Sequence, residues 1–240
     1  MRVVVTRPEL AAHRTAEKLV ALGHDPVLLP LTSVVPTGHA IPEGDFDAIV
    51  LTSANAPAAI DPQDLKSLLR LPVWCVGAAT ARAAQAAGFA NTLTGDGGDG
   101  AALAKSLALA IRRGARLLYL CGETRSSDLE IGLAAAGFDV VPVEVYRTLT
   151  VSYMTGELIA ILSHRAADSV LLYSAEGARI FSELGQMPKV AQHFENSEFF
   201  CISERTAEQL PPQFRRRARI ASRPDEASLL ALLKTRSVSD

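Results

Sequence analysis

Six places in the chain put a small, hydroxyl-bearing or glycine residue directly after an apolar run. Thr6-Arg7-Pro8 follows RVVV, Thr52-Ser53-Ala54-Asn55 follows AIVL, and Gly77-Ala78-Ala79-Thr80 follows VWCV. Further along, Cys121-Gly122-Glu123 follows RLLYL, Tyr173-Ser174-Ala175-Glu176-Gly177 follows SVLL, and Ser203-Glu204-Arg205-Thr206 follows FFCI. A short, uninterrupted apolar run reads as a buried strand, and the Ala-rich sequence beyond it reads as a helix. The first turn of a helix has backbone N–H groups without partners at the positive end of its dipole, so a strand-to-helix turn attracts carboxylate or phosphate. The competing use of any single Ser or Thr is to cap that helix. Six such ends together point to an anionic ligand. Thr6, Arg7, Ser53, Asn55, Gly77, Thr80, Ser174, Ala175, Gly177 and Thr206 are the expected binding residues.

Tyr146 stands apart from these, in the β-prone stretch VEVYRTL (143–149) beside Arg147. A tyrosine there can pack as an ordinary amphipathic side chain, or reach a ligand with its phenol. Other chemistries lack their motifs. No GxGxxG follows the first strand and no GxxxxGK[ST] occurs, which argues against a dinucleotide cofactor and a P-loop. The five histidines are scattered, with no HExxH or CxxC, so no metal is expected. Ser53 and Ser174 lack a GxSxG elbow. Cys75 and Cys201 lie inside apolar runs and read as core residues. The run RRRAR (215–219) has no aromatic platform beside it, so it reads as a solvated loop, and no nucleic-acid partner is expected.

The elements that must position these residues form an alternating series. Strands are expected at 2–6, 26–30, 48–52, 73–77 and 91–94, then at 116–120, 139–146, 169–173, 199–203 and 219–221. Helices are expected at Glu9–Leu22, Ala56–Leu69, Thr80–Ala87, Gly100–Arg113 and Ser127–Ala136. Continuously apolar strands alternating with helices imply an α/β fold with parallel sheets covered on both faces. The series also repeats itself. Gly23 matches Gly137, Asp47 and Ser53 match Asp168 and Ser174, and Cys75, Thr80 and Asp99 match Cys201, Thr206 and Asp225. The offset drifts through 114, 121 and 126 only at presumed loops. This is the mark of a duplicated domain. Leu31–Pro36 and Val143–Leu149 occupy equivalent places after the second strand of each repeat and could pair as a two-stranded hinge.

Composition sets the bounds. The chain has 240 residues, 48% of them hydrophobic and 21% charged, with a formal net charge of −2. That describes a globular protein with no bulk electrostatic case for nucleic acid or an acidic membrane. Three cysteines do not make a disulfide framework. No apolar stretch suits a signal peptide or a membrane span, and a cytoplasmic location is expected.

Taken together, VTRP (5–8), GHDPVLLPL (23–31), LTSANA (51–56), VGAATARAAQAAG (76–88), VEVYRT (143–148), LLYSAEGA (171–178), ISERTA (202–207) and SRPDEASLLALL (222–233) resemble the uroporphyrinogen-III synthase family over nearly the whole chain. The resemblance implies two flavodoxin-like lobes with parallel sheets, joined by a two-stranded β linker. It places 1–33 with 149–240 in one lobe and 36–144 in the other, with hinge strands at 31–36 and 143–149. It implies a lyase of tetrapyrrole biosynthesis that needs no cofactor. Such an enzyme takes hydroxymethylbilane, a linear tetrapyrrole with eight carboxylates, into a cleft between the lobes. It closes the macrocycle with inversion of ring D and loss of water. Tyr146 matches the family's hinge tyrosine and is the candidate general acid. Thr80 and Thr206 match the threonines of its G-x-x-T-A pattern, and Ser53 and Ser174 match the small residues of its turn. Transient contact with the preceding enzyme of the pathway is also implied. The chain departs from the family pattern at Ser203-Glu204 and at Glu176, which add carboxylates where a polyanion is expected. A second reading is open at this point: a non-catalytic, two-lobe cytosolic binding protein or sensor for an anionic metabolite.

Overall fold

The computed structural model describes residues 1–234. The strands are β1 Arg2–Val5, β2 Asp25–Leu28, β3 Thr32–Pro36, β4 Ala48–Leu51, β5 Val73–Cys75, β6 Thr92–Thr94, β7 Arg116–Gly122, β8 Asp139–Thr150, β9 Ser169–Leu172, β10 Glu198–Cys201 and β11 Ala218–Ile220. The helices are α1 Glu9–Ala21, α2 Pro62–Leu68, α3 Ala78–Ala86, α4 Gly100–Ala110, α5 Asp128–Ala135, α6 Thr155–Ile161, α7 Ala175–Leu184, α8 Glu204–Ala207, α9 Pro212–Arg215 and α10 Glu226–Lys234.

The chain divides into two compact units. One holds Met1–Ser33 with Leu149–Asp240, the other Val34–Thr148. The first unit contains a sheet ordered β11-β10-β9-β1-β2, and the second sheet runs β3-β8-β7-β4-β5-β6. The registered pairs within both sheets are parallel. Each sheet therefore combines the opening strands of one repeat with the closing strands of the other. The repeated aspartates mark the exchange. Asp168 Oδ2 accepts the backbone N–H of Arg2 (2.6 Å) and Asp47 Oδ2 accepts that of Arg116 (2.8 Å), each tying the start of a third strand to the start of the other repeat's first strand. The backbone reciprocates at both places, Asp168 N–H to Arg2 O and Asp47 N–H to Arg116 O, each at 2.9 Å.

The chain passes between the units along β3 and the end of β8, which are hydrogen-bonded neighbours. Thr37 N–H bonds Val145 O and Val151 N–H bonds Leu31 O, both at 3.0 Å, so this one pair is antiparallel.

Burial on both faces explains the unbroken apolar strands. In the first unit Val4, Val170, Leu172 and Phe199 face a cluster with Phe181, Phe194 and Phe214, while Val3, Val5, Leu171 and Phe200 face Leu229 and Leu233 on the other side. In the second unit Ile49, Leu51, Val73 and Leu120 face one cluster, and Val50, Leu117, Tyr119 and Cys121 face the other. The matched glycines have a common cause. Gly23 (φ +78°) and Gly137 (φ +81°) take the left-handed position just past α1 and α5. His24 N–H then reaches Leu19 O, and Phe138 N–H reaches Leu133 O. This ends each helix in the same glycine motif.

Several boundaries differ from the sequence expectation. The single helix expected over Ala56–Leu69 is two pieces, a 3₁₀ turn at Pro57–Ala59 and then α2. Pro62 has no N–H for a continuing helix, and Asp61 caps a new one by accepting Gln63 N–H (2.8 Å). The helix expected to Arg113 stops at Ala110, because Ile111 turns extended. Helices α7 and α8 begin at the turns after Ser174 and Ser203, where a helix was expected, whereas α6, α9 and α10 were not anticipated; α8 and α9 have only four residues each.

Candidate functional site

In the Val34–Thr148 unit, the end of β7 lies against Tyr146 of β8. A bulge interrupts the β7–β8 register: Cys121 pairs with Glu144, but Gly122 pairs with Tyr146. The extra residue is Val145. Without the bulge, Val145 and Tyr146 would point to opposite faces. With it, both pack against the cluster that contains Val143 and Leu120. The half-buried Tyr146 ring lies across Gly122 so closely that a Cβ on Gly122 would stand 2.6 Å from Cζ and 2.8 Å from Oη. Beside them, Arg125 Nε donates to Glu130 (2.7 Å) and Nη1 donates to Glu144 (2.7 Å). The hydrogen bonds to Glu130 and then Glu144 hold this guanidinium well above its ordinary pKa.

At the end of β4, Thr52 Oγ1 and Tyr119 Oη share a 2.9 Å hydrogen bond, and burial raises the Tyr119 pKa. Ser53 Oγ accepts the Asn55 N–H (3.2 Å) in an exposed turn. Gly77 caps α3 with no side chain, in extended conformation (φ −172°), and a Cβ there would point into open space. Thr80, three residues on, is buried in that helix.

In the other unit the hydroxyls are spent on the fold. Thr6 is buried, and its Oγ1 donates to Leu171 O (2.7 Å) across β1 and β9. Ser174 Oγ accepts the Gly177 N–H (3.0 Å), and Ala175 is the first residue of α7. Ser203 Oγ lies 3.0 Å from Thr206 Oγ1, and Thr206 is buried. Arg7 stacks over the Tyr173 ring at 4.3 Å and donates to Glu226 Oε1 (2.8 Å). That carboxylate also accepts from Thr15 (2.6 Å) and Lys18. Burial pushes the Tyr173 phenol up to about 12. Glu176 is clamped by Arg179 through Nε (3.1 Å) and Nη2 (2.7 Å), so its charge is paired on its own helix.

Burial alone pushes the Cys75 thiol up to about 11. It acts first on Cys121, to about 11, and on Cys201, to about 12. These thiols are core residues and poor nucleophiles at neutral pH. Among the described residues no group of three His, Cys, Asp or Glu could hold a metal, and no helix is long and apolar enough to cross a membrane.

The family model described as uroporphyrinogen-III synthase HemD matches residues 13–231. The chain belongs to the uroporphyrinogen-III synthase family. Among solved structures it is similar to uroporphyrinogen-III synthetase from Helicobacter pylori 26695, at 18% identity and TM-score 0.68, covering 98% of this chain and 99% of that one. It is also similar to a mutant uroporphyrinogen III synthase from the extremely thermophilic bacterium Thermus thermophilus, at 19% identity and TM-score 0.48, covering 98% of each chain. No curated protein matches it. At these identities the Helicobacter likeness speaks for the fold, and the family match makes the chain a uroporphyrinogen-III synthase of tetrapyrrole biosynthesis.

For a synthase of this family, the uneven use of strand-end residues matters. Ser53, Asn55 and Gly77 follow strand ends of one unit, with Tyr146 inside β8 opposite the end of β7, whereas Thr6, Ser174, Gly177 and Thr206 are tied into the helices and sheet of the other. Gly122, Arg125 and Glu226 escaped the sequence reading as neighbours of the candidate residues. A glycine ending an apolar strand was the one available signal, and nothing local links Glu226 to Arg7.

Proposed function

We propose that the chain converts hydroxymethylbilane to uroporphyrinogen III as a cyclising hydro-lyase, with Tyr146 as the general acid. The family match over residues 13–231 carries the reaction. In that reaction the terminal hydroxyl departs with a proton as water and leaves an electrophilic azafulvene. The nucleophilic carbon of ring D closes on it through a spiro intermediate, which fragments and recloses inverted. Atoms balance as one bilane in, and one macrocycle and one water out. The Tyr146 phenol supplies the proton to the leaving hydroxyl and recovers one when ring D rearomatises. Its half-buried seat on the end of β7 supports this role. The turns at Ser53–Asn55 and Gly77–Thr80, and Arg7 with Ser174–Gly177 in the other unit, are proposed carboxylate contacts. The rest of the catalysis is the holding of a flexible chain in its reactive shape.

Three buried free cysteines suit a reducing cytoplasm. The bilane also closes unaided to the type I isomer, so a transient contact with the enzyme that makes it would shorten its exposure to solvent. The test is purified protein mixed with hydroxymethylbilane and the product isomers separated. Type III product is expected, and type I alone would sink the enzyme reading. Tyr146→Phe is expected to lower the single-turnover rate about tenfold to a hundredfold, the low end of general-acid assistance. Its melting temperature should be unchanged. An unaltered rate would remove Tyr146 from the chemistry.

A further inference from the structure

We infer that Gly122 is a positioning residue for the reaction, its missing side chain letting the Tyr146 ring lie across the end of β7 while Arg125 fastens the bulge beside it. The inference rests on the proposed role of Tyr146. Gly122 is not among the residues with positive φ, so backbone conformation does not call for glycine there. The ring does. A Cβ at 122 would meet Tyr146 Cζ at 2.6 Å and both Cε2 and Oη at 2.8 Å. Carbon atoms in contact prefer roughly 3.5–4.0 Å, so any side chain at 122 displaces the phenol by about 1 Å.

The backbone that carries the phenol is held as well. Glu123 N–H bonds Tyr146 O (3.0 Å), which locks the backbone just past the bulge. Arg125 Nη1 joins Glu144, two residues before Tyr146, and points at Gly122 O (3.4 Å). Its Nε holds Glu130 on α5 (2.7 Å). One guanidinium thus ties the loop after β7, the following helix and the bulged strand together around the ring. A displacement of about 1 Å at a reacting group can cost on the order of a hundredfold in rate.

The experiment compares Gly122→Ala, Tyr146→Phe and the double variant in steady-state kinetics, with thermal melting of each. Gly122→Ala is expected to lower kcat about tenfold with KM changed by less than about twofold, because it moves a proton donor rather than a binding group. In the Tyr146→Phe background the same change should cost nothing further, since no phenol is left to misplace. Arg125→Gln should show a smaller fall in kcat, of about threefold, with the same dependence on Tyr146. If Tyr146→Phe turns over normally, the acid assignment fails, and this inference with it. If Tyr146→Phe is slow but Gly122→Ala is not, the inference alone fails. Multiplying losses in the double variant would also overturn it, by giving Gly122 a role of its own. Should Gly122→Ala not fold, the Arg125→Gln measurements decide, and an unchanged kcat there overturns the inference.

Discussion

Ser174 and Ser53 stand at the same point of the two repeats, yet one caps a ten-residue helix while the other heads an exposed turn. The residues beyond each serine decide its use. After Ser174 the sequence AEGARIFSEL buries Ala178, Ile180 and Phe181 along one helical face. After Ser53 come Pro57 and Pro62, which deny N–H groups to a helix and split it. Ser203 and Gly77 differ in the same way: the first accepts the Thr206 N–H (3.4 Å), and the second offers no side chain to its helix. Equivalent residues of the two units are thus put to different uses. The strand-end arginines are alike in another respect. Arg7 is paired by Glu226, and Arg125 by Glu130 and Glu144, so a ligand carboxylate approaching either must share it with the chain's own.

The largest stability effect should come from Glu226→Gln. Its carboxylate is mostly buried and takes hydrogen bonds from Thr15, Arg7 and Lys18. Losing charge-assisted bonds should cost about 2 kcal/mol at pH 7 in denaturant unfolding. Burial opposes the charged form, but the bonds from Lys18 and Thr15 and the charge of Arg7 outweigh it and hold the pKa below its ordinary 4.5. The stabilisation is therefore complete above that value and disappears as pH falls through the lower, folded-state pKa. Melting curves of wild type and variant should converge in acid. A gap that persists at low pH would mean packing, not charge, is at work.

A smaller effect separates the two serines. Ser174→Ala removes a helix cap and should cost about 1 kcal/mol, whereas Ser53→Ala, in an exposed turn, should cost under about 0.5 kcal/mol. Equal losses in urea titrations would erase the contrast between the units. The smallest stability change belongs to Gly77→Ala. Nothing lies within 4 Å of a Cβ there, and its extended φ of −172° suits any residue. Stability should hold within about 0.5 kcal/mol. Product affinity should fall severalfold if a carboxylate approaches the bare helix start. Unaltered affinity would clear that turn of ligand.

Much of this was legible locally. Alternating apolar strands and helices announced parallel sheets covered on both faces, and Gly23 and Gly137 marked two helix ends. Asp47 and Asp168 marked equivalent strand starts. These signals involve residues close in sequence, and short-range sterics, capping and periodicity decide them. Expectation failed where a local breaker was overlooked, as at Pro62, or where a helix was too short for periodicity to speak, as at α9.

The tertiary structure decided the rest. The residues alone do not say that β1 lies beside β9 rather than β4, although the family resemblance implied the exchange. Both candidates are short and apolar, and only the packing of whole faces distinguishes them. Nor does Arg7 announce a partner 219 residues away in Glu226. The bulge at Val145 and the seat of Tyr146 on Gly122 are likewise invisible along the chain. A register shift takes its meaning from the strand opposite, and a glycine demanded by a neighbour's ring has no local signature at all.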